Sequence, residues 1–371
     1  MLDVKVDEFT LVLHPVKRPQ FIEDWEHIAL NIIEKTLVLT NIETVLGYLV
    51  ESDTSIPAGY SQGLVTDKPY HFAIAFHQDY IQMGVCLKFS AYAWSEYQKL
   101  YYEIFDKSIN IHQFLQKLET YTKINSRLSR IDIAIDFINE NLDVDFIYNK
   151  IVREKHIVRN ASGRKNNSNI SAITKNNITN TFYIGARVKN YRVLLRIYDK
   201  KKEQIETYGV EYNKALQYDN WVRFEAVFKS KYAHLLTKHL LEIKNDLELK
   251  NLLVSAVIDR YQFHYVKSNN LTDYSKKINS LLYQKNFNFS IPSPRNNLLD
   301  RSISHLLNGA GLFSTLWKVQ EIWDEDTAQE LMNYLYTMYY DTFTPNEDHL
   351  SWINKYKHYY LLTGKPWKLK K

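Results

Sequence analysis

Tyr198 is the residue whose setting best suits a reaction at phosphorus. It stands in Val193-Leu194-Leu195-Arg196-Ile197-Tyr198-Asp199-Lys200, where period-two alternation puts Val193, Leu195 and Ile197 on one face of a strand and Arg196, Tyr198 and Lys200 on the other. A phenol with an ordinary pKa of about 10 is a weak nucleophile at neutral pH. Neighbouring guanidinium or metal charge favours the phenolate and offsets charge building on an attacked phosphate. Arg196 and the run Lys200-Lys201-Lys202 supply that setting. The chain holds 28 tyrosines, so neighbourhood rather than residue type singles this one out; without a reaction to serve, Tyr198 would pack on Arg196 and the lysines would form a solvated strand end.

Carboxylates collect in the same manner on two other stretches. Arg130-Ile131-Asp132-Ile133-Ala134-Ile135-Asp136 sends its isoleucines one way and Arg130, Asp132, Ala134 and Asp136 the other, and Trp221-Val222-Arg223-Phe224-Glu225-Ala226-Val227-Phe228 sets Arg223 and Glu225 opposite an apolar row. Asp and Glu are depleted from strands, so three of them on one prospective sheet face read as a reaction surface suited to a hard divalent cation, Mg²⁺ or Mn²⁺. Residues four apart on a strand lie roughly 13 Å from each other. One of Asp132 and Asp136, together with Glu225, is therefore expected to hold the ion, and spacing does not say which. If no ion binds, the carboxylates pair with Arg130 and Arg223 across strands.

Positive charge thickens around Tyr198. Arg187, Lys189, Arg192, Arg196, Lys200, Lys201 and Lys202 face a single acid, Asp199, and interleaved Tyr183 and Tyr191 could stack on the bases of a single strand. A second basic segment carries Arg153, Lys155, Arg159, Arg164 and Lys165. Arg187, Lys189, Arg192, Lys200, Lys201, Lys202 and Arg223 are the expected DNA contacts.

The elements that must position these groups follow from periodicity. Strands are expected at 8–13, within 68–90 (two), and at 127–137, 181–186, 192–200 and 220–228; helices at 20–35, 92–105, 109–122, 144–154, 231–244 and 247–261. Residues 160–180 read as a mobile basic loop, and a turn containing Lys189-Asn190 joins two strands. The stretch 266–297, with Ile291-Pro292-Ser293-Pro294, reads as a linker between a catalytic and DNA-binding domain at 1–265 and a helical region at 298–371. The fold class is α+β: a mainly antiparallel sheet with a charged face, helices on its apolar face, and a helical C-terminal region. No solenoid-length repeat is visible.

Composition excludes several classes. Of 371 residues, 47 are Lys or Arg and 42 Asp or Glu, a net charge of +5 too small to identify a partner by itself. Cys86 is the only cysteine, which rules out internal disulfides, thiolate zinc sites and CxxC redox chemistry. No apolar run reaches the roughly 18 residues of a membrane helix or resembles a signal peptide, so a soluble, cytoplasmic protein is expected. There is no glycine-rich phosphate loop, so any unwinding would fall to a separate host helicase. His71 and His77 lie six apart and His234 and His239 five apart, spacings that suit no compact ligand set.

The segments 130–136, Thr181-Phe182-Tyr183-Ile184-Gly185-Ala186-Arg187, Leu195-Arg196-Ile197-Tyr198-Asp199-Lys200-Lys201-Lys202-Glu203 and 221–225 resemble, in order and interval, the successive motifs of the Rep_trans rolling-circle replication initiators of small plasmids. The likeness spans about residues 5–265 and extends to the related MobT-type relaxases. It implies a replication initiator that nicks and rejoins DNA at a hairpin-forming origin through a covalent 5′-phosphotyrosine on Tyr198. It also implies a divalent metal held by Asp132, Asp136 and Glu225, and a homodimer. A relaxase of a conjugative or mobilisable element and a non-catalytic DNA-binding protein are the alternatives. MobT-type relaxases carry a helix-turn-helix headpiece, whereas here the first strand begins near residue 8, which favours the initiator.

Overall fold

The computed structural model describes residues 1–17, 23–66, 71–166, 169–185, 191–283, 287, 298–345 and 347–368. The strands are β1 (Leu2–Pro15), β2 (Leu49–Ser52), β3 (Gln62–Thr66), β4 (Phe72–Phe76), β5 (Val85–Phe89), β6 (Ile124–Ile138), β7 (His156–Arg159), β8 (Ile170–Lys175), β9 (Ile178–Ile184), β10 (Val193–Asp199), β11 (Trp221–Lys229) and β12 (Gln262–Tyr265). The helices of the first unit are α1 (Glu23–Thr40), α2 (Ile42–Leu46), α3 (Ala91–Phe105), α4 (Ile111–Glu119), α5 (Val144–Val152), α6 (Lys200–Glu206), α7 (Tyr212–Gln217), α8 (Lys231–Glu242), α9 (Asp246–Arg260) and α10 (Asp273–Asn279).

Among the described residues, ten strands form one antiparallel sheet in the order β2-β3-β4-β5-β1-β6-β11-β10-β9-β8, and β7 pairs with β12 separately. The order has a hidden regularity. In residues 2–89 the first strand lies beside the last, with the others stacked outward; in residues 124–229 β6 lies beside β11, and β10, β9 and β8 stack outward. A helix pair follows each set, α3–α4 and then α8–α9. The two sets meet along the antiparallel pair β1–β6, so the strand order runs outward from that seam in the same way on both sides. The sequence carries this repeat in connectivity alone.

One face of the sheet is apolar throughout. Phe9, Leu11, Leu87, Phe89, Ile133, Ile135, Leu195, Ile197, Phe224 and Ala226 join Trp25, Trp94, Phe114, Leu236 and Leu252 from the helices in one continuous core. Phe9 alone contacts the rings of Phe89, Trp94 and Phe114 at 4.9–5.8 Å between centroids, the tilted and edge-on geometry aromatic quadrupoles favour. Burial of this area is what fixes the register, since a one-residue slip would turn Ile131, Ile133 and Ile135 of β6 onto the charged face.

Several expectations are corrected here. Residues 170–180, expected to lie in a loop, are not one: β8 and β9 form a hairpin through Asn176 and Asn177, both with positive φ (53° and 61°), the conformation a tight hairpin turn demands and asparagine tolerates. Its outer strand, β8, carries half-buried and exposed residues at the sheet edge, so it shows no apolar alternation. Lys200 begins helix α6 rather than ending a strand, with the Asp199 carboxylate accepting from the Lys202 amide at 2.8 Å as N-cap. The expected linker 266–297 keeps packing through α10, whose Tyr274, Ser275 and Ile278 are buried. The chain divides into Met1–Phe289 and Ser290–Lys371. The turn at Lys189-Asn190 and the segment 291–294 lie outside the described residues.

The second unit contains α11 (Leu299–Asn308), α12 (Leu312–Ile322), α13 (Glu325–Thr342) and α14 (Glu347–Thr363). α12 falls within the region expected to be helical, and Gly311, at φ 76°, starts it without a side-chain cap. Among the described residues, no helix is long and apolar enough to cross a membrane. Cys86 is buried on the sheet, and burial pushes its thiol up to about 12, consistent with an inert packing residue.

Candidate active site

Register places the candidate residues in cross-strand rows. Tyr198 faces Arg223, and Arg223 faces Asp136; Arg196 faces Glu225, and Glu225 faces Ala134; Val227 faces Asp132. Tyr198, Arg196, Asp132, Asp136 and Glu225 thus share the polar face of three adjacent strands, as alternation predicts. That face is nonetheless closed: Tyr198 is 4% exposed, Asp132 and Asp136 1%, Glu225 5%.

Each buried acid is matched to a guanidinium. Arg130 grips Asp132 with two bonds, Nε to Oδ1 at 2.9 Å and Nη2 to Oδ2 at 2.6 Å. Arg223 grips Asp136 likewise at 2.6 and 2.8 Å and gives Nη1 to Asp7 at 2.7 Å. Arg196 donates Nη2 to Glu225 Oε2 at 2.5 Å, and the Tyr198 hydroxyl donates to the same oxygen at 3.2 Å. The Arg196 guanidinium lies 4.3 Å from the centre of the Tyr198 ring, and Lys200 Nζ 5.8 Å from it.

Asp7 and Glu8 complete the cluster and were missed in the sequence. Between Val6 and Phe9, β1 carries one residue more than its partner β6, a bulge that re-aims side chains. Both neighbours consequently serve the polar face: Asp7 reaches Arg223, and Glu8 reaches Arg130 at 2.6 Å. Strict alternation from Lys5 would have marked Asp7 but not Glu8. Glu211, the residue preceding α7, bonds Lys5 at 3.4 Å and lies 3.8 Å from Arg223.

The electrostatics are those of a desolvated array. Burial drives the Tyr198 phenol well above its ordinary range; Arg223 and Arg196 oppose this, while Glu225 and Asp7 add to it. Desolvation therefore outweighs the guanidinium charge that was expected to favour the phenolate. Burial also pushes the Asp132 carboxyl up to about 7, against the pull of Arg130. Burial alone would lower Arg223, yet Asp7 and Asp136 hold it well above the usual arginine range.

Two groups of expectations shift accordingly. Arg223, 1% exposed and tied to two aspartates, is an internal counter-ion and has no surface to offer DNA. Lys200 is 7% exposed and bonded to Glu203 at 2.8 Å. Lys201 reaches the Asp219 carbonyl and Lys202 the Asn180 side chain. Arg192 is exposed; Arg187 and Lys189 lie outside the described residues. As for the metal, both oxygens of Asp132 and of Asp136 are committed to guanidiniums, and among the described residues no three ligating side chains gather around one point. The arrangement as folded does not fit a bound Mg²⁺ or Mn²⁺, which would enter only by displacing an arginine.

A family profile described as replication initiation factor, Rep_trans, matches residues 126–335. No curated protein matches the chain. Among solved structures, that of the rolling circle replication initiator protein from Geobacillus stearothermophilus shares the fold: TM-score 0.53 at 15% identity, covering 77% of this chain and 100% of that one.

Proposed function

This chain belongs to the Rep_trans family of replication initiation factors, and on that premise we propose that it cuts and reseals one DNA strand at an origin of rolling-circle replication, with Tyr198 as nucleophile. The observation that carries the proposal is the single oxygen of Glu225 shared by the Tyr198 hydroxyl and Arg196. A hydroxyl needs a base within hydrogen-bond reach to become a nucleophile, and Glu225 is that base.

The step balances without a further reagent. The Tyr198 proton passes to Glu225; the phenolic oxygen forms a bond to phosphorus; the bond from phosphorus to the 3′ oxygen breaks; and that oxygen takes up a proton from solvent water to become a free 3′ hydroxyl. The 5′ phosphate stays on the tyrosine as a phosphodiester. Resealing is the reverse: a 3′ hydroxyl releases its proton to solvent water as it attacks phosphorus, and the leaving phenolate regains its proton from Glu225. Arg196, which lies over the ring and is 36% exposed in its side chain, swings outward to admit the phosphate and then neutralises charge on it. Because the ring is covered at rest, the closed arrangement is a ground state protected from adventitious DNA.

The test is a labelled single-stranded oligonucleotide carrying the origin cleavage site. Wild-type protein is expected to leave an adduct mapped by mass spectrometry to Tyr198, and Tyr198→Phe none. An adduct that survives in Tyr198→Phe removes the nucleophile from this reading. The pairing of every carboxylate with arginine supports one second reading, a DNA-binding protein in which the cluster is purely a scaffold; absence of any adduct with wild type would favour it.

A further inference from the structure

The two basic segments that flank the site in sequence close on one cavity far from Tyr198. A bridge between Arg159 and Lys165 brings the 160–166 turn back onto β7. Asn160 Oδ1 accepts from the Arg164 amide at 2.9 Å. Asn166 then bonds in two directions, its amide to the Val158 carbonyl at 2.8 Å and its side chain to the Arg260 carbonyl at 3.2 Å. The turn is thereby fastened to the C-terminal end of α9. Arg192 arrives from the start of β10, where its carbonyl accepts from the Lys229 amide at 2.8 Å.

The result is a cavity of about 340 Å³ walled by Arg164, Lys165, Arg192 and Arg260, with Asn166 and Tyr232 also lining it and no Asp or Glu among its lining residues. Arg260 is held in place from two sides, its guanidinium 4.3 Å from the centre of the Tyr232 ring and its Nε 3.0 Å from Asp259. With Arg260 paired to Asp259, Arg164, Lys165 and Arg192 are the cations that repel one another across the cavity, and a multivalent anion offsets that cost. The volume falls at the lower end of that of ordinary ligand sites, enough for a nucleotide-sized segment.

Position separates this cavity from the Tyr198 site. Val193, which also lines it, faces the helical side of the sheet with Leu195 and Ile197, whereas Tyr198 faces the other side. The two residues are about 16 Å apart along the strand.

We propose that this cavity is a second phosphate site that holds the DNA backbone away from the cleavage point. The inference rests on DNA being the substrate, as argued above, but not on Tyr198 being the nucleophile. Two sources offer the same chemistry, a phosphodiester of the strand and a free phosphate or nucleotide, and the experiment has an arm for each.

Arg164→Glu and Lys165→Glu, both at exposed positions, are compared with wild type by fluorescence anisotropy on a labelled oligonucleotide across a salt series, with thermal melts to verify folding. Each reversal is expected to lower the slope of log affinity against log salt by about one, and to weaken binding similarly for unrelated sequences. Arg260→Gln, which keeps a polar side chain under Tyr232, is a third variant with the same expectation. Inorganic phosphate and ADP are titrated as competitors. Slopes unchanged in folded variants overturn the proposal, and so does competition by micromolar ADP that leaves DNA binding intact in all three variants, because the site would then serve a free nucleotide. The outcomes stay separable from the catalytic reading. Wild type that forms the Tyr198 adduct while cavity variants keep their slopes sinks only the cavity; no adduct together with lowered slopes sinks only the nucleophile.

Discussion

Glu225→Gln is the sharpest perturbation of the proposed chemistry, because it changes one atom type and keeps the shape. In the wild type, Glu225 Oε2 accepts from the Tyr198 hydroxyl at 3.2 Å and from Arg196 at 2.5 Å. The amide retains an acceptor oxygen but can no longer take the phenolic proton. Loss of a positioned general base costs a factor of about 10² to 10⁴ in rate, or roughly 2.7 to 5.5 kcal/mol of barrier. A smaller effect opposes it: the Glu225 charge is one of the influences holding the phenol up, so its removal eases ionisation. Burial is the larger influence and survives the substitution, so the net result remains a slow enzyme. Stability should change little, about 1 kcal/mol, because Arg196 is partly solvated and keeps an acceptor. The assay is single-turnover adduct formation on an excess of labelled oligonucleotide, followed between about pH 6 and 9. With the base removed, hydroxide must ionise the phenol, so the variant's rate should climb about tenfold per pH unit while wild type climbs far less. A Glu225→Gln protein within threefold of wild type and with the same pH profile would refute the assignment of the base.

Other outcomes follow from the same cluster. Asp136→Asn leaves the fully buried Arg223 with Asp7 as its close partner; stability should fall by about 2–4 kcal/mol, the lower range for breaking a buried pair, read as a melting temperature lowered by about 5–10 °C. Replacing both partners, Asp136→Leu with Arg223→Met, should recover part of that loss, and a double variant no better than the single one would argue against the buried-charge account. The Asp132 carboxyl, raised to about 7 from 3.8, contributes stability through its neutral form; that contribution is complete below about pH 4 and is lost as pH rises towards 7. Melts of wild type and Asp132→Asn should therefore converge or cross in favour of the variant between those pH values, and a constant gap would show that the shift is absent. Asn177→Val, at φ 61°, should destabilise the β8–β9 hairpin by about 1–2 kcal/mol, while Asn177→Gly should be neutral or better, as measured by urea midpoints.

How much of this was legible depended on whether a face was continuous. The alternation in 130–136, 193–199 and 221–228 identified the three central strands and their polar side because the core enforces period two there. It could not show that the polar side is closed, since α6 and α7 come back over it from residues 200–217, of which only Lys200 was placed, at a strand end. Glu8 was hidden by a bulge, which breaks the period that alternation relies on. β8 was hidden by its place at the edge, where exposed residues leave only the Asn176-Asn177 turn as a signal. Arg164 and Arg192 were each visible as basic residues, but their meeting depends on Asn166 reaching α9, a long-range contact with no local signature.

The outward strand order on either side of the β1–β6 seam makes the sheet a tandem of two like-connected halves with unlike duties. Where β10 offers Arg196 and Tyr198, its counterpart β4 offers Ala73 and Ala75, paired with Lys88 and Cys86 of β5. The first half offers no such side chains at those positions and pairs with its twin along the β1–β6 ladder, twelve residue pairs long. On the proposed chemistry, closing a displaced strand into a circle takes two transfers, so the Tyr198 phenol is either recycled or joined by the Tyr198 of a second copy.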